Sequence, residues 1–147
     1  MSPPERVTHS PTETGKLASE VASTLEPGTV VALVGDLGTG KTAFAKGLAQ
    51  ALGVKATISS PTYTIIAEYP ADPPFVHMDL YRLQDSEEFE LLGVEEYFAG
   101  EAIVVIEWAE RAADALPRDR TIWIRIRFGE GDRRIFDIGG CPPEESV

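Results

Sequence analysis

One stretch constrains the fold of this chain more than any other: "GDLGTGKT", residues 35–42. It fits the G-x-x-x-x-G-K-[ST] pattern of a phosphate-binding loop (P-loop), whose glycines let backbone N–H groups surround a phosphate. The apolar run "TVVALV" before it is typical of a buried parallel strand, and "KTAFAKGLAQALG" after it predicts a helix that ends at Gly53. Strand, loop and helix therefore follow in the order that nucleotide binding requires. The predicted phosphate-binding residues are Gly35, Asp36, Leu37, Gly38, Thr39, Gly40, Lys41 and Thr42.

Two of these side chains carry specific chemistry. Lys41 is expected to reach the β- and γ-phosphates and to act in catalysis, and the Thr42 hydroxyl to bind Mg²⁺. The positive end of the following helix would add to the attraction for phosphate.

The length of 147 residues suits a single domain, which we place at 1–147 with flexible tails at about 1–7 and 141–147. The one cysteine, Cys141, has no partner for a disulfide within the chain. No apolar run approaches the length of a membrane span, and the first residues lack the apolar core of a signal peptide. We therefore expect a cytoplasmic protein with no membrane partner.

The net charge of −11 disfavours direct, tight binding of DNA or RNA, because cationic contacts supply most of the affinity for a phosphate backbone. A solvated acidic surface is the default interpretation of such a balance. A basic surface on a partner protein would complement it.

The remaining patterns predict an α/β fold with a mixed, mostly parallel sheet flanked by helices. "SPTE", residues 10–13, is a capping box for a helix that we expect to continue until Pro27 and Gly28. "TYTIIAEYP", "PFVHMDLY" and "AIVVIEW" indicate strands, while "DSEEFELLGVEEYF" and "AERAADAL" indicate short helices. "TIWIRIRF" and "RRIFDI" flank the turn "GEGD" and predict a C-terminal antiparallel hairpin.

Two acidic residues end apolar strands. Asp79 ends "FVHMD" and Glu107 ends "AIVVIE". In P-loop enzymes a carboxylate at such a position lies beside Mg²⁺ or polarises water, and either residue could take either role. Glu107 follows the stronger apolar run and is the preferred candidate. The competing interpretation is that each residue only marks a strand's exit into solvent.

"SSPTYT", residues 59–64, is a candidate nucleotide-sensing loop. The hydroxyl of Thr62 or Thr64 could contact Mg²⁺ or the γ-phosphate, although a plain turn is an equal alternative. The chain contains no asparagine, so the N-K-x-D element that reads guanine in most GTPases is absent from the sequence. ATP is therefore the expected nucleotide.

Together these motifs resemble the bacterial TsaE (YjeE) family. "GDLGTGKTAFAKGLAQALG", "SPTYTIIAEY", "HMDLYRL", "EEFELLGVEEYF" and "VIEWAER" occur in that family's order and at its spacings, over roughly residues 8–136. The resemblance implies a small P-loop ATPase that supports synthesis of threonylcarbamoyladenosine (t6A) in tRNA. It implies weak hydrolysis alone and action on a two-protein complex, TsaB–TsaD, which itself handles the tRNA.

The same resemblance implies roles for particular residues. Thr42 and Glu107 would bind Mg²⁺, with Asp79 close to the metal and Trp108 beside the site. Residues near Pro11 and around Arg133 would contact the adenosine. The acidic "DSEEFE" and the neighbouring "YFAGE" are candidate docking surfaces for the partner, against ordinary solvated helix. Arg82, Arg111 and Arg118 could contact either the γ-phosphate or the partner.

Two other function classes stay open at this point. A small-molecule kinase would phosphorylate an added acceptor without partner proteins, although the sequence shows no long lid segment. A nucleotide-dependent binding switch would need ATP occupancy but not hydrolysis.

Overall fold

The computed structural model describes residues 5–36, 38–55 and 66–139. The predicted residues Leu37, Thr62 and Thr64, the loop "SSPTYT", Cys141 and the C-terminal tail lie outside these ranges. The helices are α1 (Pro11–Ala22), α2 (Lys41–Ala51), α3 (Ser86–Glu90) and α4 (Glu95–Ala99), with a 3₁₀ helix at Ala109–Ala115. The strands are β1 (Glu5–Thr8), β2 (Val30–Val34), β3 (Ile66–Tyr69), β4 (Phe75–Asp79), β5 (Ile103–Glu107), β6 (Thr121–Phe128) and β7 (Arg134–Gly139).

The strands form one mixed sheet in the order β1-β7-β6-β2-β5-β4-β3. The four central strands, β6, β2, β5 and β4, are parallel to one another. The outer pairs β3–β4, β6–β7 and β1–β7 are antiparallel. The predicted α/β fold, with a parallel centre and a C-terminal hairpin, is confirmed. The carboxyl ends of β2, β5 and β4 meet at one edge of the sheet, where open α/β folds bind ligands.

The two faces of the sheet have separate apolar cores. On one face α1 and α2 pack over β2 and β6, where Phe44, Leu48 and Ile124 are fully buried. On the other face α3, α4 and the 3₁₀ helix cover sheet residues such as Met78 and Trp123. Alternation along β6 supplies both cores, since Ile124 and Trp123 are neighbours in sequence but belong to different clusters.

Local signals explain where α1 begins and ends. The Ser10 side chain accepts a hydrogen bond from Glu13 N, and Pro11 occupies the first helical position, as the sequence predicted. The helix ends at Ala22, however, and not near Pro27. The hydroxyls of Ser23 and Thr24 donate to the carbonyls of Glu20 and Val21, and such local bonds compete with helix continuation.

One further expectation differs from the structure. Residues 5–7, expected in a flexible tail, form β1 with Thr8 and pair with β7. The short helix predicted for "AERAADAL" is a 3₁₀ helix, with non-helical backbone at the buried Ala112. Within the described ranges, no helix has the length and apolar character needed to cross a membrane.

Candidate functional site

Close backbone packing shapes the P-loop. A Cβ atom on Gly35 would lie 2.5 Å from the Ile126 carbonyl oxygen on β6 and 2.8 Å from Thr39 Oγ1, so only glycine fits there. Thr39 Oγ1 donates to the Asp36 carbonyl at 2.7 Å and closes the loop. Gly40 then caps α2 with φ = 103°, a conformation that favours glycine. The loop thus leads directly from β2 into the N-terminus of α2.

Lys41 is buried beneath this loop. Its Nζ donates to the carbonyl oxygens of Gly35 and Asp36, the latter at 3.0 Å, and lies 3.9 Å from the centroid of the Trp108 ring. Burial lowers the pKa of Lys41, and the carboxylates of Glu110 and Glu107 partly oppose that shift. The ammonium group is therefore desolvated and well suited to bind an anion.

Glu107 joins the P-loop helix to the sheet. It ends β5 opposite Leu33 of β2 and is 2% exposed. Its Oε1 accepts a hydrogen bond from Thr42 Oγ1 at 2.7 Å, and its Oε2 lies 2.6 Å from His77 Nε2 on β4. Each carboxylate oxygen therefore has its own partner, on a different element.

Asp79 ends the next strand and is paired in register with Glu107. Its Oδ1 accepts from Tyr81 N at 3.0 Å, which holds the side chain at the edge of the sheet. Burial raises the pKa of Asp79, and the charge of Glu107 adds to the rise, whereas the Tyr81 bond opposes it. The two carboxylates that the sequence selected thus lie side by side.

Trp108 follows Glu107 in an unusual backbone conformation. Its φ of 58° is in the left-handed region, which a bulky residue rarely adopts. The ring lies 5.1 Å from that of Tyr81 and 5.7 Å from the Arg111 guanidinium, in addition to its contact with Lys41. This backbone turn directs the indole toward the P-loop.

Two cavities border the P-loop and share Gly38, Gly40 and Ala43 in their walls. The smaller, of about 330 Å³, is lined by Gly38, Gly40, Lys41, Thr42, Ala43, Asp79, Tyr81, Glu107 and Trp108. The larger, of about 510 Å³, lies between α1, α2 and the β6–β7 turn. Pro11, Gly15, Gln50, Asp132 and Arg134 are among its lining residues. A ligand with a polar and an apolar part could occupy both.

Most predicted site residues come together here. Gly38, Gly40, Lys41, Thr42, Asp79, Glu107 and Trp108 line one cavity, and Pro11 lines the other. Arg133 is not among the lining residues, because the turn places its neighbours Asp132 and Arg134 at the cavity instead. Arg111 donates to the Leu83 carbonyl beside Tyr81. Sequence reasoning did not select His77 or Tyr81, although "HMDLY" places both within two residues of Asp79.

The donor set suits a hard cation. A hydroxyl on Thr42 and carboxylates on Glu107 and Asp79 are oxygen ligands of the kind that Mg²⁺ prefers. No group of three His, Cys, Asp or Glu side chains in the described ranges is arranged to hold a metal ion by itself. Mg²⁺ commonly binds through one or two carboxylates together with substrate phosphates, and the residues present fit that arrangement.

Comparisons with known proteins agree with the motifs. A family model described as "Threonylcarbamoyl adenosine biosynthesis protein TsaE" matches residues 8–135. The chain is 43% identical over 129 residues to tRNA threonylcarbamoyladenosine biosynthesis protein TsaE of Bacillus subtilis, covering 87% of this chain and 80% of that protein. It is 42% identical over 130 residues to the protein of the same name from Treponema pallidum. That match covers 88% of this chain and 96% of the other protein. The crystal structure of Bacillus subtilis YdiB matches with a TM-score of 0.75 and 36% identity, over 92% of this chain and 83% of that one.

Proposed function

This chain belongs to the TsaE family of tRNA threonylcarbamoyladenosine biosynthesis proteins, and from that premise we propose that it is a Mg²⁺-dependent ATPase accessory to t6A synthesis. It acts in the cytoplasm on a TsaB–TsaD complex, where ATP hydrolysis sustains repeated turnovers. It reaches tRNA only through that complex.

One observation carries the ATPase assignment. Lys41, Thr42 and Glu107 come from two different elements but line the same cavity, with Asp79 beside them. These residues supply a cation for phosphates, a hydroxyl for Mg²⁺ and a carboxylate to orient water, which are the parts that phosphoryl transfer to water requires.

The two cavities accommodate the two ends of ATP. In our proposal the triphosphate lies along the P-loop, and the adenosine enters the larger cavity against Pro11 and Gly15. Gly15 has no side chain and leaves space for the adenosine in this cavity. Nothing lies within 4 Å of the position that a Cβ atom at Gly15 would occupy.

Each residue then has a defined task. Lys41, already desolvated, donates to the β- and γ-phosphates, and backbone N–H groups of the P-loop cradle them. Thr42 and Glu107 would hold Mg²⁺ with Asp79 nearby, and the metal would neutralise charge on the phosphates. A carboxylate of this pair orients and polarises the attacking water.

The charge of the molecule supports action through a protein partner. A chain with a net charge of −11 is poorly suited to grip tRNA directly. The 85–101 segment, which contains α3 and α4, carries acidic side chains and no basic one, and it lies on the sheet face away from α1 and α2. A basic surface on the complex would complement it.

The test is Mg²⁺-dependent ATP hydrolysis by the purified chain, alone and with TsaB–TsaD and tRNA. We expect the complex to stimulate hydrolysis, and Lys41→Ala to reduce the stimulated rate by about 10²–10³-fold. Glu107→Ala should still bind ATP but fail to support repeated t6A turnovers. Full turnover by Glu107→Ala would instead favour a nucleotide-dependent binding switch. Phosphorylation of an added small acceptor would favour a kinase.

A further inference from the structure

His77 is a polar residue in the middle of a buried strand. It is 0% exposed, and β4 otherwise carries Phe75, Val76 and Met78 before it reaches Asp79. Alternation places His77 on the same face of the sheet as Phe75 and Asp79, which is the face covered by α2. The imidazole therefore lies behind the P-loop site, and solvent does not reach it.

The contacts of His77 show what it binds. A carboxylate only accepts hydrogen bonds, so Nε2 carries a hydrogen and donates it to Glu107 Oε2 at 2.6 Å. Within the described ranges, buried Nδ1 has no hydrogen-bond partner. The contact with Glu107 is therefore the hydrogen bond that orients the ring.

A histidine that only filled core space would not need this bond. A buried apolar residue of similar volume would fill the same space without the cost of desolvating an imidazole. Within the described ranges, the hydrogen bond of the ring goes to the carboxylate that faces the P-loop, and not to a backbone group of the sheet. This bond also occupies the only oxygen of Glu107 that does not face Thr42.

We propose that His77 is a positioning residue that holds Oε2 of Glu107 away from the cation, so that only Oε1, on the side of Thr42, is available to it, and that this makes the site prefer Mg²⁺ over Ca²⁺. The inference rests on the proposed Mg²⁺–ATP function and names what sets its metal choice. Ca²⁺ readily takes both oxygens of one carboxylate in flexible coordination with six to eight ligands. Mg²⁺ requires a compact octahedron, to which a carboxylate contributes one oxygen. A carboxylate whose second oxygen is already bound favours the smaller ion.

The test compares two variants of the full chain. His77→Gln retains a side-chain N–H near the position of Nε2, whereas His77→Met fills a similar volume without a donor. ATP binding is measured by calorimetry in EDTA, with Mg²⁺ and with Ca²⁺. We expect the wild type and His77→Gln to bind Mg²⁺–ATP more tightly than Ca²⁺–ATP. His77→Met should lose about 10–100-fold of the Mg²⁺-dependent gain, as removal of a partner behind a metal ligand generally does. In His77→Met, the increase in ATP affinity that Ca²⁺ produces should stay the same or become larger. The affinity of this variant for ATP in EDTA should not change.

The ratio of the ATP affinities measured with Mg²⁺ and with Ca²⁺ distinguishes a specific role of His77 in metal choice from general damage to the fold. Equal losses with both metals, or an unchanged ratio, would overturn the proposal while leaving the ATPase assignment intact. A wild-type chain whose ATP affinity no metal improves would overturn both.

A measurement on the wild type does not depend on whether the variants fold. The chain has only two histidines, and His9 is exposed, so the ring nitrogens of His77 can be assigned by ¹⁵N NMR. We expect the Nε2–H of His77 in the wild type to be protected from exchange with solvent, because it is buried and donates to Glu107. Protonation at Nδ1 alone would contradict the proposal.

Discussion

At the scale of single residues, the site contains a charged side chain that lowers the stability of the fold. This residue is Asp79. Its pKa is raised from 3.8, mainly by burial, so the folded state holds the proton more tightly than the unfolded state does. Stability therefore falls as pH rises from 3.8 through the folded pKa and stays lower above it. Asp79→Asn, whose amide oxygen can still accept from Tyr81 N, should stabilise the metal-free protein at neutral pH. Because the group is only partly buried, we expect a gain below ~1 kcal/mol.

Urea unfolding in EDTA at several pH values checks this prediction. The gain from Asp79→Asn should shrink as pH approaches 3.8, and ATPase activity should fall in the same variant. Asp114→Asn, at an exposed position of the 3₁₀ helix, is the matched control. A pH-independent gain would show that ionisation of Asp79 is not its cause.

Trp108 should report on nucleotide binding. Lys41 Nζ lies 3.9 Å from its ring centroid, and binding of the β- and γ-phosphates would draw the ammonium away from the indole. We therefore expect a saturable change in tryptophan emission on addition of ATP. The chain has two tryptophans, and Trp123 is buried in the apolar core and does not line the cavity that Trp108 lines. Trp123→Phe should keep the ATP-dependent change and Trp108→Phe should lose it; the reverse pattern would contradict the proposed contact.

At the scale of elements, the same substitution by alanine should have opposite effects on stability at two glycines of the α1–α2 contact. A Cβ on Gly47 would lie 2.8 Å from Ala18 Cβ, so the helices would have to separate. Gly47→Ala should destabilise the fold, because overpacking costs about 1–3 kcal/mol and outweighs the helix propensity of alanine. Gly15→Ala meets nothing within 4 Å and should stabilise the fold by about 1 kcal/mol.

Thermal unfolding of the two alanine variants tests the difference, and each serves as the control for the other. A larger residue at Gly15 extends the test to function. Gly15→Leu would project into the larger cavity and should weaken ATP binding while leaving inorganic triphosphate binding unchanged. Equal effects on both ligands would place the adenosine elsewhere.

The sequence predicted the parts of the site that depend on local pattern and topology. The P-loop unit has a fixed motif, and parallel strands end at one edge of a sheet, so Glu107 and Asp79 were expected near Lys41. The bond between His77 and Glu107 depends on the register of β4 against β5, which single-sequence periodicity does not provide. The place of Arg133 depends on the conformation of one turn, and a shift of one residue puts Arg134 at the cavity instead. The short edge strand β1 requires β7 as a template and has no strong local signal.

At the scale of the whole molecule, the sheet separates two surfaces with different properties. The two cavities that we propose for ATP border the P-loop, and both are lined by residues of α2. The opposite face carries the α3–α4 surface, which we define as Glu87, Glu90, Leu91, Leu92, Glu95 and Glu96. Leu91 is 82% exposed at its centre, and acidic side chains flank it on both sides. An apolar side chain within an acidic surface would suit a partner with a shallow apolar depression and basic surroundings.

The last prediction concerns this surface. Glu90→Lys combined with Leu91→Ser removes an exposed apolar side chain and reverses a charge, and neither residue lines the two cavities at the P-loop. We expect binding to TsaB–TsaD to weaken about tenfold or more, and ATP hydrolysis by the isolated chain to stay the same. Wild-type binding should weaken as salt is raised, because salt screens exposed charges, and the variant should depend less on salt. Binding to the surface-immobilised complex, measured at low and at physiological salt, gives both the affinity and its salt dependence.

The control is Glu26→Lys, in the loop before β2 at the end of the sheet away from the P-loop. It reverses a comparable exposed charge and should bind almost as the wild type does. If the two variants weaken binding equally, net charge governs association; if neither does, the partner contacts a different face.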